Sequence, residues 1–431
     1  MNVIRSVGAF ADMSKRIVII GAGVIGLSTA YYCARRGFDV TVLERNGAQR
    51  DGTSFGNAGM IVPSHFVPLA APGAVALGLK WMWNPASPFY IKPRLDAELA
   101  DWALKFWRAA NAGHVSRSAP LLRDLSFASR KCYEELAAEP GMDFGLVTKG
   151  LLMLCQTQHA LDEESDTAEK AFKLGIPVQV LDAKQVADLD PAAKMNIAGA
   201  VYFPKDCHFS PARFMAALQK RCEEGGVKFI WQGEVADFKT GGEKHISALA
   251  LPGGLHIEAD EFLLCGGSWS PLLARKLGLK IPMQAGKGYS LTLPKPRRLP
   301  QICSILTEAR VAVTPMGETL RVGGTMEISG LNEDISPVRV RGIIDSFCRY
   351  YPEFTPTDFD GVQPWRGLRP CSPDGLPYVG RTAKYDNLSL ATGHAMMGMS
   401  LGPITGKLIS GILEGEKPSF DLTMLSPDRY L

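Results

Sequence analysis

The stretch Lys15-Arg16-Ile17-Val18-Ile19-Ile20-Gly21-Ala22-Gly23-Val24-Ile25-Gly26 constrains the fold more than any other part of the chain. Ile17 to Ile20 form a continuous apolar run, the pattern of a strand buried on both faces of a parallel sheet. Gly21, Gly23 and Gly26 stand where that strand must turn into a helix opened by Val24 and Ile25. In a nucleotide-binding βαβ unit the first glycine permits the turn, the second lets a pyrophosphate approach the backbone, and the third lets the helix pack on the strand. Free N–H groups at the helix start then face the phosphates. Gly37 ends the helix, and Asp39-Val40-Thr41-Val42-Leu43 alternates as a second strand. Glu44 closes it, placed to accept hydrogen bonds from ribose hydroxyls, with Arg45 next to it. This spacing predicts a bound dinucleotide and leaves the choice between NAD and FAD open.

The chain has 431 residues, too many for one ordinary core, so two domains are expected. A net charge of +3 is small for this length and spread along the chain, so it gives no argument for nucleic acid as a partner. The nine cysteines are scattered without a Cys-x-x-Cys pair, and no histidines are spaced for zinc. Reduced thiols, no metal and a cytoplasmic location are the corresponding expectations. The first 14 residues read as a disordered leader. No window approaches the roughly 18 uninterrupted apolar residues that a membrane span needs.

Thr53-Ser54-Phe55-Gly56-Asn57-Ala58-Gly59 is a second small-residue loop, close behind the ribose acid. A flavin needs such a loop beside its ribityl chain and ring, whereas a nicotinamide cofactor does not; a plain surface loop is the alternative. The segment from Phe66 to Pro93 is rich in proline, alanine and aromatics, including Trp81-Met82-Trp83-Asn84-Pro85, and reads as a lid or interaction surface. Asp96 caps a helix with Leu99, Trp102, Ala103, Phe106 and Ala110 on one stripe. Trp102 and Trp107 offer a peripheral membrane contact, on the inner face of a membrane; a stripe facing the core is the more frequent explanation. Further helices are expected at Leu122 to Leu136 and Asp162 to Leu174, and a strand at Val147 to Leu154.

Near Ala198 the character changes back. Ser210-Pro211 opens a helix, Val227 to Trp231 and Gly233 to Phe238 read as strands, the latter including Val235, and Glu258 to Gly267 runs apolar into glycine. This last run reads as a strand returning to the nucleotide sheet, with Gly266 and Gly267 near the cofactor and Trp269 opening the next helix. Short strands then follow at Tyr289 to Leu293, Val311 to Thr314 and Thr319 to Val322, and Ser336-Pro337 caps a helix through Tyr351. Trp365 to Pro377 is dense in turn formers and arginine. Leu388 to His394 is a strand ending in glycine, and Met397 and Gly398 lead into a helix carrying Ile404, Leu408, Ile409 and Ile412 on one side.

Taken in order, these motifs resemble the D-amino-acid oxidase and glycine oxidase superfamily of FAD enzymes, most closely the bacterial D-amino-acid dehydrogenases, including those acting on hydroxyproline. The marks are Gly21 to Gly26 with Glu44, Thr53-Ser54 with Asn57-Ala58-Gly59, Ala70-Ala71-Pro72-Gly73, Gly288-Tyr289-Ser290, Arg321-Val322-Gly323-Gly324, Gly367-Leu368-Arg369-Pro370 with Pro373-Asp374-Gly375, and Thr392-Gly393-His394. The resemblance implies an α/β and α+β architecture: a Rossmann-like FAD domain interleaved with a substrate domain of antiparallel sheet and helices. The expected division gives 15–66, 196–275 and 356–431 to the first, and 67–195 and 276–355 to the second.

The resemblance further implies non-covalent FAD and hydride transfer from a small amino acid, with electrons passing to a quinone or to oxygen. The helix starting near Gly402 is suited, through its dipole, to the negative charge that reduction places on the flavin. Arg369 is the expected clamp for the substrate carboxylate, with Arg366 and Arg321 as substitutes. Tyr289 is expected near the substrate and His394 by the flavin, the latter not as a base. Some relatives tether the flavin through cysteine, but Cys371 is differently placed. Proline-like or hydrophobic D-amino acids are the expected substrates. An oxidase and a catalytically silent flavin module are the competing readings, and the oligomeric state is left open.

Overall fold

The computed structural model describes residues 14–81 and 87–431. Nearly all of the expected leader, and most of the Trp81 to Pro85 segment, lie outside the described residues.

The strand Arg16–Ile20 pairs in parallel with Asp39–Glu44 on one side and Glu261–Leu264 on the other. Leu388–Thr392 and Lys228–Trp231 extend this sheet in parallel, and antiparallel Tyr378–Arg381 makes it six-stranded. Ile17 and Ile19 are fully buried, as a strand covered on both faces requires. One cover is the helix Val24–Arg35, which packs on the last helix, Gly398–Glu414. Their backbones nearly touch, since a Cβ on Gly406 would stand 2.5 Å from the Ser28 carbonyl carbon. Around that contact Leu27, Leu408 and Ile409 are buried, and truncating Leu27 to alanine costs about 2–5 kcal/mol.

The second sheet has nine strands. Its path runs Trp365–Cys371, Gln284–Leu293, Thr319–Ile328, Val311–Met316, Cys303–Leu306, Leu151–Cys155, Gly199–Phe203, Gln179–Asp182, with Phe89–Ile91 added beside Thr319–Ile328. The expected antiparallel sheet is in fact mixed, because Cys303–Leu306 runs parallel to Leu151–Cys155, and Phe89–Ile91 parallel to Thr319–Ile328. Those partners are far apart in sequence, so no hairpin dictates their direction. One face of the sheet buries Tyr289, Leu291, Val313 and Val322 against Ile343 and Phe347 of the helix Pro337–Tyr350.

Strand membership departs from the expected division twice. Gly199–Phe203 and Trp365–Cys371 both pair in the nine-stranded sheet, although their ranges fall on the nucleotide side of that division. In sequence the second reads as a turn because of Gly367 and Pro370. It is an edge strand, where a missing N–H is tolerated.

Other boundaries move less. The helix expected from Leu122 starts at Ala112, the strand expected at Gly233 to Phe238 is Asp237–Thr240, and the strand expected from Val147 begins at Leu151. Asp96 caps its helix by accepting from the N–H groups of Glu98 and Leu99, whereas Ser210 and Ser336 stand at N-cap positions without a side-chain capping bond. The tryptophan stripe divides: Trp102 is 4% exposed and Trp107 64%. Among the described residues no helix is long and apolar enough to cross a membrane.

Candidate active site

A cavity of about 1240 Å³ runs between the two sheets, from the end of the strand Asp39–Glu44 to the edge strand Trp365–Cys371. It exceeds the roughly 300–1,000 Å³ of a typical small-molecule site, so it can take a dinucleotide and a second ligand together.

At its outer end the protein presents backbone. Gly21 has φ +109°, and a Cβ there would lie 2.7 Å from the Cys265 carbonyl oxygen. The N–H of Val24 is held by Ser54 Oγ at 3.0 Å, while those of Gly23 and Ile25 have no protein acceptor among the described residues. Two orphan donors at a helix N-terminus, with a glycine in front, fit a pyrophosphate. Glu44 accepts from the N–H of Ala22 at 3.0 Å through one oxygen and from Asn46 through the other. These bonds fix the carboxylate at the cavity wall with capacity left for a ribose hydroxyl. The Arg45 guanidinium carbon lies 3.6 Å from the centre of the Trp269 ring at the same end, a cation–π contact, and Val235, Gly266 and Gly267 complete that wall.

The Thr53 to Gly59 loop crosses from one sheet to the other. Thr53 Oγ1 donates to the Leu368 carbonyl at 3.1 Å and accepts from the Leu368 N–H at 3.2 Å, which ties the loop to the edge strand. Arg321 reaches under it and donates to the carbonyls of Phe55 and Asn57 at 3.0 and 2.8 Å. No carboxylate pairs with Arg321 among the described residues, and burial pushes its guanidinium down to about 10. Arg321 is therefore a support of the loop, and the loop carries Asn57 and Ala58 into the cavity wall.

The inner end is made of side chains. Arg369 stands over Gly288 of the neighbouring strand, where a Cβ would come within 2.2 Å of the guanidinium. Its Nη1 donates to the Thr325 carbonyl at 2.7 Å. Thr325 sits at a bulge between Thr319–Ile328 and Gln284–Leu293 with φ 69°, a conformation that costs a threonine about 1–3 kcal/mol. The strained carbonyl and the missing side chain at Gly288 together fix the guanidinium. Burial lowers the Arg369 pKa, and no carboxylate pairs with it among the described residues. Arg366, by contrast, is paired with Asp51 and Glu333. The same cavity has an apolar wall: Trp102, whose indole donates to the Cys371 carbonyl, stacks on Phe106, with Phe89 and Met326 alongside.

Tyr289 and His394 both line the cavity. The ring of Tyr289 packs in a core cluster and its hydroxyl donates to Glu327 at 2.8 Å, which holds it in place at the wall. Residues alternate across a strand, so Gly288 and Ser290 share one face and the Tyr289 ring leaves from the other, although Tyr289 still lines the cavity. His394 is 2% exposed and bonded through Nε2 to Thr405 Oγ1 at 3.0 Å, and burial pushes its pKa down to about 3. It is neutral at working pH and shapes the wall with Met397 and Gly398. The last helix begins at Gly398, a turn before the Gly402 start expected from the sequence, so its first N–H groups reach the cavity.

Three expected contact residues do not line the cavity: Gly26, Gly59 and Gly393. Gly26 lets helix and strand meet, since a Cβ would fall 1.9 Å from the Gly21 oxygen, while Gly59 and Gly393 turn the chain with φ +70° and +78°. Cys371 is fully buried outside the cavity lining, and burial pushes its thiol up to about 12. It is not placed to tether a flavin. Among the described residues no cluster of side chains could hold a metal ion. His65, Arg310, Trp102 and Met326 line the cavity although the sequence does not single them out as ligands, because each signal is one residue in an unremarkable segment.

The family model described as "FAD dependent oxidoreductase" (DAO) matches residues 16–412. A curated relative named D-amino acid dehydrogenase, from Bradyrhizobium diazoefficiens, is 32% identical over 424 residues, which is 96% of this chain and 99% of that protein. A protein of the same name from Granulibacter bethesdensis is 32% identical over 420 residues, covering 96% and 99%. Among solved structures, glycine oxidase from Geobacillus kaustophilus superposes with a TM-score of 0.76 at 24% identity, covering 97% of this chain and 100% of that one. L-proline dehydrogenase from P. horikoshii gives 0.72 at 17% identity, covering 97% and 98%. These two likenesses establish the shared fold.

Proposed function

We propose, from the premise that this chain belongs to the DAO family of FAD-dependent oxidoreductases, that it is a dehydrogenase of proline-like or hydrophobic D-amino acids. The coarser statement stands by itself: the chain is an FAD-dependent enzyme acting on amino acids. The observation that supports the finer reading is Arg369, a guanidinium without a carboxylate partner among the described residues, in the same cavity as an apolar wall.

Gly23, Ile25 and Glu44 would hold the pyrophosphate and ribose of FAD, and the Thr53 to Ala58 loop would pass its ribityl chain. When bound, FAD supplies a hydride acceptor, so that an amino acid loses hydride from Cα and becomes an imino acid. Arg369 clamps the substrate carboxylate through two parallel hydrogen bonds, which fixes the direction of the Cα–H bond. Trp102, Phe106, Phe89 and Met326 enclose an apolar substrate side chain and exclude water. The first N–H groups of the helix Gly398–Glu414 put the positive end of its dipole at the cavity, where negative charge develops on reduction.

Anaerobic bleaching of the flavin with a panel of D- and L-amino acids, including proline and both hydroxyproline isomers, tests this reading. Rapid bleaching by apolar D-amino acids, lost in Arg369→Ala without loss of FAD, is the expected result. Timed reoxidation by air against a soluble quinone separates dehydrogenase from oxidase, and rapid peroxide formation at full turnover would sink the dehydrogenase reading.

A further inference from the structure

One group of titratable side chains at the cavity plays no part in the mechanism above. Asp206 is 0% exposed and lies just before the strand Cys207–His208. Ser64 Oγ donates to Asp206 Oδ2 at 2.5 Å, and the Ser64 N–H donates to Oδ1 at 3.1 Å. On its other side Ser64 Oγ is 3.0 Å from His65 Nδ1, and His65 lines the cavity. Ser64 has one proton, already given to Asp206, so its oxygen accepts from His65 Nδ1–H. That tautomer leaves the Nε2 lone pair of His65 as an acceptor, and Nε2 has no protein partner among the described residues. The chain of bonds thus runs from the cavity to a buried carboxylate through one imidazole and one hydroxyl.

The chemistry supplies a use for it. An amino acid arrives at neutral pH as an ammonium ion, whereas loss of hydride from Cα needs the nitrogen lone pair, hence a neutral amine. On the reading that this is an amino-acid dehydrogenase, we propose that His65, Ser64 and Asp206 form a relay that takes one proton from the bound substrate ammonium. In the step the ammonium N–H breaks and a His65 Nε2–H forms; Nδ1–H passes to Ser64 Oγ, whose own proton passes to the Asp206 carboxylate. The imidazole ends neutral with its tautomer exchanged, one proton has moved from substrate to Asp206, and no electrons have moved. The relay resets as the proton returns to solvent after product leaves.

The surroundings suit this. Burial pushes the Asp206 carboxyl up to about 7, against the two Ser64 bonds and the more distant Arg130. Burial and Arg310 push His65 down to about 4, so it passes a proton on rather than keeping it. The groups that face the relay are Arg310 from the turn before Val311–Met316, Arg130 from Ala112–Ala137, and the thiols of Cys207 and Cys303. Arg369 and Arg310 put positive charge at the cavity wall, and positive charge near an ammonium favours release of its proton.

The test is the pH dependence of anaerobic flavin bleaching by a substrate D-amino acid, in wild type, His65→Asn and Asp206→Asn. The amide introduced by His65→Asn keeps the bond to Ser64 and removes Nε2. In Asp206→Asn the new amide donates to Ser64, which reverses the chain of bonds and puts the imidazole proton on Nε2. Both variants should bleach on the order of 100-fold more slowly at pH 7 and recover to within a few-fold of wild type near pH 10, where the substrate enters as free amine. FAD content and binding of a carboxylate lacking the amine should be unchanged. Wild-type rates in His65→Asn at every pH would overturn the relay, and so would a loss in both variants that pH 10 does not restore. Wild type that no amino acid bleaches would instead sink the dehydrogenase reading. Infrared titration of the resting protein then still decides: the Asp206 carboxyl band must vanish in Asp206→Asn and titrate at a different pH in His65→Asn, and an unmoved titration counts against the relay.

Discussion

The two ends of the cavity are built on different principles. The outer end recognises its ligand with backbone: orphan N–H groups at Gly23 and Ile25, a glycine at φ +109°, and one carboxylate, Glu44, that is itself held by backbone N–H groups. The inner end uses side chains, with Arg369 set by a strained carbonyl at Thr325 and by the empty position at Gly288. Backbone recognition leaves little room for substitution at Gly21 and Gly26, because a Cβ at either strikes another backbone. Side-chain recognition can be altered step by step, which lets one cofactor frame serve different substrates.

The strongest way to break this comparison is at the glycines. Gly26→Ala should prevent FAD binding, since the new Cβ would lie 1.9 Å from the Gly21 oxygen; a yellow protein with normal thermal stability would show that the backbone yields there. Arg369→Ala comes next. Loss of a charged partner from a buried pair costs about 2–5 kcal/mol, so kcat/KM should fall by roughly 30- to 5,000-fold with FAD retained. A fall below threefold would shift the clamp to another arginine.

pH should separate the ends as well. His394 has its pKa depressed in the folded state, so between its ordinary value and about 3 the unfolded chain binds the proton that the folded chain refuses. Its contribution to stability is whole above pH 6.5 and is lost as pH falls towards 3, at up to about 1.4 kcal/mol per pH unit. Urea unfolding of His394→Gln should show a shallower acid slope than wild type, while kcat of wild type shows no ionisation of this group between pH 6 and 9.

Tyr289→Phe is the smallest change. Removing its bond to Glu327 should cost about 0.5–1.5 kcal/mol of stability and leave kcat/KM within about threefold. A hundredfold loss of kcat would give it a part in the reaction.

The outer end was legible because its signals are local. Strand, glycines, helix and Glu44 follow within one βαβ unit, and each has a residue type that only that geometry demands. Arg369 was legible through its motif, not through its surroundings. The nine-stranded sheet was legible only in pieces, since Trp365–Cys371 carries a glycine and a proline and owes its strand form to the partner Gln284–Leu293. The direction of the Tyr289 ring is hidden for a related reason: its face of the strand is set by register, and the bulge at Thr325 has no mark in the sequence.

The sequence by itself determined the βαβ unit and its phosphate-binding turn, because turns, helix starts and buried runs are set by neighbours a few residues apart; FAD and the clamp expected of Arg369 came through the family resemblance. Tertiary structure alone decided which strands share a sheet, which side Tyr289 faces, that His394 is neutral, and that Ser64 and His65 meet Asp206 across the fold. Each of these depends on burial or on pairing between distant segments, and neither quantity belongs to any single stretch of chain.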